Sequence, residues 1–118
     1  MTEAAHNLGK NIKPIYENPS AKIGLNRGHS RIWMQGKWLT SCGFGNKGEY
    51  HVIYGQGIIE VLRVEGKTLP KLTRKVAGTV DSPIIDLNSS LVSEALHGTH
   101  VVITANSGNI TIRTKGAK

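Results

Sequence analysis

Cysteine is almost absent from this sequence: Cys42 is the only one in 118 residues. A disulfide-stapled scaffold is excluded, because a single thiol has no partner within the chain. Long apolar runs are missing too, and nothing approaches the ~20 consecutive apolar residues that a membrane-spanning helix requires. The opening MTEAAHNLGKNIKP contains no apolar core of a secretory leader, so a soluble intracellular protein is expected. The N-x-[ST] matches at Asn88 and Asn109 should then carry no glycan. Aromatic residues make up only 5% of the chain. What is abundant is glycine, with 14 copies, and positive charge, with 15 Lys+Arg against 8 Asp+Glu for a net +7. A basic excess of this size favours anionic partners, nucleic acid first.

The charge is unevenly placed. Residues 1–30 carry Lys10, Lys13, Lys22 and Arg27 against Glu3 and Glu17, and Arg31 follows them. In 32–62, Lys37 and Lys47 are cancelled by Glu49 and Glu60. Residues 63–75 hold Arg63, Lys67, Lys71, Arg74 and Lys75 against Glu65, a net +4. From 76 to 112 there is no Lys or Arg, only Asp81, Asp86 and Glu94, and the tail adds Arg113, Lys115 and Lys118. A merely solvated surface would intersperse both signs.

The apolar pattern repeats. Ile32, Met34, Trp38, Leu39 and Cys42 fall opposite Ile85, Leu87, Leu91, Val92 and Ala95 at one offset. Gly48 and Val52 then match Gly98 and Val102, while Gly57, Ile59 and Val61 match Gly108, Ile110 and Ile112. Each unit predicts a short strand, one or two turns of helix, and a β-hairpin across a glycine-bearing turn. The domain limits follow: a flexible basic arm over 1–30, repeat one over 31–62, a basic connector over 63–80, repeat two over 81–113, and a basic tail over 114–118. The connector could add strands at 64–72 and 74–80. The shared core expected from two interleaved units is Ile32, Leu39, Val52, Ile59, Val61, Ile85, Leu91, Val102, Ile110 and Ile112. A single unit of this length buries too little apolar surface to offset its chain entropy.

Ile32, Met34, Gly36, Trp38, Leu39, Gly43, Phe44, Gly48 and Val52, in that order, carry a resemblance to the swapped-hairpin superfamily of SpoVT/AbrB and MazE proteins, nearest its SymE-like subgroup. The resemblance implies a mostly β, AbrB-like swapped-hairpin barrel. Two such units normally come from separate chains, so two in one chain imply a single-chain pseudo-dimer. It also implies DNA binding by basic residues around the barrel, at Arg31 and Lys37 in the first copy. The second copy has Pro83 or Ile84, and Ser90, at those places, which implies an electrostatically lopsided surface.

Other chemistry is weakly supported. Gly43-Phe44-Gly45-Asn46-Lys47-Gly48 spells G-x-G-x-x-G, but a helix is expected before it and a strand after it. That is the reverse of a dinucleotide-binding turn. His97 and His100 lack a second pair of ligands at a familiar spacing, so they are read as turn residues and no metal is expected. Cys42 falls on the apolar helix stripe and reads as a small buried residue. No catalytic constellation stands out, so neither an enzyme nor a cofactor is expected.

The leading expectation is a non-enzymatic DNA-binding protein, a transcription regulator or nucleoid-type binder in the cytoplasm of a bacterial or phage-infected cell. Its binding residues would be Lys10, Lys13, Lys22, Arg27, Arg31, Lys37, Arg63, Lys67, Lys71, Arg74 and Lys75. The alternative is a single-stranded DNA- or RNA-binding cofactor of transcription or replication, phage- or plasmid-borne, with Trp33, Tyr50 and Tyr54 stacking on bases. A third reading is an antitoxin-like module for a protein partner such as a toxin or RNA polymerase. No membrane partner is expected, and homo-oligomerisation is left open.

Overall fold

Alternation decides the strands. In Pro83–Asn88 the side chains of Ile85 and Leu87 are buried, while Ile84, Asp86 and Asn88 between them are only half-buried. Ile32 and Met34 are likewise buried, and Trp33 between them is exposed. A computed structural model describes residues 14–64 and 73–115. In chain order its elements are β1 (Tyr16–Lys22), β2 (Gly24–Asn26), β3 (His29–Gln35), α1 (Lys37–Ser41), β4 (Glu49–Tyr54) and β5 (Ile58–Arg63). They continue with β6 (Arg74–Lys75), β7 (Ala77–Gly78), β8 (Pro83–Asn88), α2 (Ser90–Ala95), β9 (His100–Asn106) and β10 (Asn109–Thr114).

The strands form two open sheets. One has six strands in the order β1-β9-β10-β5-β4-β6, and the other has four in the order β2-β3-β8-β7. All the pairings are antiparallel. The expectation of a mostly β chain is met, and 29–63 and 83–114 each run strand, short helix, hairpin. No helix among the described residues is long and apolar enough to cross a membrane.

Both helices are short and are positioned by their ends. The Ser89 side chain accepts a hydrogen bond from the Leu91 amide at 3.2 Å, capping α2. After α1 the chain turns at Gly43, whose φ of +92° suits glycine. A side chain there would also run into the Arg63 guanidinium. The amide of Gly108, in the β9–β10 turn, donates to the Cys42 carbonyl at 2.7 Å and ties the second hairpin to the end of α1.

Several expectations need correction. Residues 16–26, assigned to a flexible arm, form β1 and β2; β1 is held by pairing with β9 from Tyr16–Ala105 to Lys22–His100. The strand expected over 74–80 is met in part, by Arg74–Lys75 and Ala77–Gly78, while 65–72 of the strand expected over 64–72 lies outside the described residues. Leu91 is 43% exposed, and the buried residues of α2 are Val92 and Ala95. Val102 is only half-buried, because Val101, Ile103 and Ala105 take the inner face of β9. The sequence match of Val52 to Val102 is off by one position: Val52 faces Val61 in its hairpin, and Ile103 faces Ile112 in the other. A one-residue slip exchanges the two faces of a strand. Val52 itself is partly buried against the core, and the other seven expected core residues are buried.

The core draws on both sheets and both helices, and among the described residues no polar or charged residue is buried in it. Leu39→Ala should therefore cost about 2–5 kcal/mol in urea unfolding. Leu91→Ala should cost only a fraction of that; equal losses would contradict the outward placement of Leu91.

Candidate nucleic-acid interface

The outer face of the four-stranded sheet collects the polar side chains that alternation turns away from the core. Trp33 lies directly across from Asp86 in the β3–β8 ladder, Arg31 across from Asn88, and Gln35 across from Ile84. Arg31 donates to both carboxylate oxygens of Asp86, from Nε at 2.9 Å and from Nη2 at 2.8 Å. The same guanidinium lies over the Trp33 ring, with its central carbon 4.5 Å from the centroid. Trp33 Nε1 donates to Gln35 Oε1 at 3.0 Å, and Gln35 Nε2 donates to Ser82 Oγ at 2.8 Å. Asn88 Nδ2 adds a third hydrogen bond to Asp86, at 3.0 Å. The hydrogen bonds from Arg31 hold the Asp86 carboxyl below the usual carboxylate range, against the opposing effect of partial burial. Asp86 in turn raises the pKa of Arg31.

The other expected basic residues are spread over edges and turns. Lys22 is exposed at the end of β1, on one edge of the six-stranded sheet, and Arg74 and Lys75 are exposed on β6 at the opposite edge. Arg27 sits exposed in the β2–β3 turn with φ +53°, and Lys37 is the exposed first residue of α1. Arg63 ends β5, its side chain lying against Gly43 and the Gly108 turn. Lys10, Lys13, Lys67 and Lys71 fall outside the described residues.

Of the three aromatic candidates, Trp33 alone is exposed. Tyr50 is 3% exposed and belongs to the core, so its expected stacking role is withdrawn: a buried ring has no face for a base. Burial also pushes its hydroxyl pKa up. Tyr54 packs partly buried against the core, and its hydroxyl is buried without a hydrogen-bond partner among the described residues. Trp38 stacks on Tyr16 with centroids 3.8 Å apart and planes 8° from parallel, while its Nε1 donates to the Gln35 carbonyl at 3.1 Å.

The remaining sequence features resolve structurally. The G-x-G-x-x-G stretch connects α1 to β4, in the order helix, turn, strand. Its Gly48 amide donates to the Gly45 carbonyl at 2.8 Å, within the turn itself. Cys42 is fully buried, and burial pushes its thiol pKa up, away from a reactive thiolate. His100 Nδ1 and Thr99 Oγ1 are 2.8 Å apart in one hydrogen bond. Among the described residues no three His, Cys, Asp or Glu side chains gather where a metal could bind.

Sequence reasoning selected Arg31 and Trp33 but missed Asp86, Gln35, Asn88 and Ser82. The alternation in PIIDLN already turns Asp86 away from Ile85 and Leu87. Which cation it meets depends on the register of two strands far apart in sequence. Because the folded state lowers the Asp86 pKa, the stability gained from its pair with Arg31 is present above the unfolded carboxylate value near ~4 and is lost as pH falls through the folded value. Asp86→Asn should lower the urea midpoint at pH 7. That gap should narrow as pH falls below the unfolded carboxylate value, and an unchanged gap would dissociate the pair from stability.

Comparison with known proteins finds no matching family model, no similar curated protein and no similar solved structure.

Proposed function

We propose that the chain is a single-chain pseudo-dimer of interleaved swapped-hairpin units that binds DNA without catalysing a reaction. Four sets of strand pairs support the internal repeat. Ile32 faces Leu87 and Met34 faces Ile85; exchanging partners across an offset of 53 returns the same two pairs. Ile59 faces Ile112 and Val61 faces Ile110, which behave alike across an offset of 51. Gly24–Arg31 and Leu25–Ser30 have their counterparts in Ala77–Ile84 and Gly78–Pro83. Lys22–His100 and Ala21–Val101 correspond to Lys75–Glu49 and Arg74–Tyr50. Contacts that exchange in this way are the mark of a two-fold relation. The edge strands are exchanged as well: β1 borders the second hairpin and β6 borders the first.

The observation that carries the DNA-binding reading is the placement of cations at this scaffold's periphery. Lys22 and Lys75 occupy corresponding positions on opposite edges of the six-stranded sheet, and both are exposed. Arg74 and Arg27 add exposed charge on an edge strand and a turn. Two-fold-related cations match the pseudo-dyad of a DNA duplex. Lysine on an edge strand also discourages edge-to-edge pairing, so one placement serves both ends.

Binding should weaken steeply with salt, because each phosphate contact releases counterions. Arg74→Ala with Lys75→Ala should leave thermal stability intact and reduce the slope of log K against log salt by roughly 2. Titration of labelled DNA at two salt concentrations measures this. Absence of binding at low ionic strength, or binding indifferent to salt, would overturn the proposal.

A further inference from the structure

We infer that the outer face of the four-stranded sheet is a stacking site for one unpaired nucleobase, built from Trp33 and the guanidinium of Arg31. The inference rests on the nucleic-acid reading above and narrows it: at this face the ligand is a single strand.

Trp33 is the starting point. It is 47% exposed in mid-strand between two residues that are each 2% exposed, and the residue directly across the ladder is the carboxylate Asp86. The ring therefore does no work in the core. It is nonetheless held firmly: its indole N–H is bonded to Gln35, Gln35 is anchored on Ser82, and Arg31 lies against the ring. Fixing the ring in the free protein removes an ordering cost from any ligand that stacks on it.

Charge distinguishes a base from a phosphate here. Both carboxylate oxygens of Asp86 are engaged by Arg31, so the charge of the guanidinium lying over the indole is balanced by its ion pair. A phosphate approaching Arg31 would meet Asp86 as well. An uncharged planar ring meets no such penalty, and aromatic rings and guanidinium planes are the surfaces on which unstacked bases settle. Bases inside a duplex have no free face to offer.

The arrangement also exists once among the described residues. Under the offset that relates the two halves, the position corresponding to Trp33 is Asp86 itself. One half supplies the ring, and the other supplies the acid that aligns the arginine. One base per chain is the expected stoichiometry at this face.

The test uses the full chain with three probes: oligo-dT, an abasic oligonucleotide of the same length, and a duplex. Wild type should bind oligo-dT on the order of 5- to 100-fold more tightly than the abasic strand. Tryptophan fluorescence should be quenched by oligo-dT but not by the abasic strand. Trp33→Ala should lose that preference and the quenching while retaining duplex binding and its salt slope, and Trp33→Phe should keep most of the preference. Equal binding of the oligo-dT and abasic strands by wild type would overturn the stacking site, and this comparison needs no variant to fold. A Trp33→Ala protein that still prefers oligo-dT would overturn it too. If wild type binds none of the three probes, the broader nucleic-acid reading falls with it.

Discussion

The structure depends on β5 lying beside β10 at the centre of the six-stranded sheet. Ile59 is paired with Ile112 and Val61 with Ile110, and all four side chains are fully buried. The facing sheet repeats the arrangement in β3 and β8, where Ile32 meets Leu87 and Met34 meets Ile85. Each stretch of strand, helix and hairpin presents one apolar face and is too short to cover it alone. Joining the two at both ladders closes one core over which Leu39 and Val92 also pack. The edge strands depend on the same contact, since β1 and β6 each border the opposite hairpin.

That constraint dictates where polar chemistry can lie. A core assembled from inward faces, with no buried polar or charged residue among the described ones, leaves charge to the outer faces, turns and edges. Exposed Lys22, Arg74 and Lys75 accordingly sit on the outermost strands of the larger sheet. The outer face of the smaller sheet is different in kind. There the opposite charges of Arg31 and Asp86 cancel beside an exposed indole, giving a fixed aromatic surface rather than a phosphate clamp. On the nucleic-acid binding proposed above, the two surfaces would meet different parts of the ligand, backbone at the edges and base at the face.

The elements were largely legible from local pattern. Alternation in Ile84–Leu87, the cap-favouring Ser89 and the glycine-bearing turns place strand, helix and hairpin in both halves, because each signal spans only a few residues. Errors arose where the pattern is degenerate. In HVVITAN consecutive apolar residues fit either face, so Val102 was placed inward although Val101 and Ile103 hold that position. Leu91 and Val92 pose the same ambiguity on a helix too short to repeat its period twice. Residues 16–26, polar and with little apolar alternation, gave no local strand signal; β1 is a strand because β9 offers it an edge to pair with.

The sequence by itself determined the order strand, helix, hairpin in each half, most of the core and the segregation of charge, since these follow from composition and short periodicities along the chain. Only the tertiary structure decided what the individual site residues do. Register across β3 and β8 joined Arg31 to Asp86 over a separation of 55 residues. Burial withdrew Tyr50 and left Trp33 in solvent. A side chain's face is a local property, whereas its partner across a ladder is set by how the whole core closes.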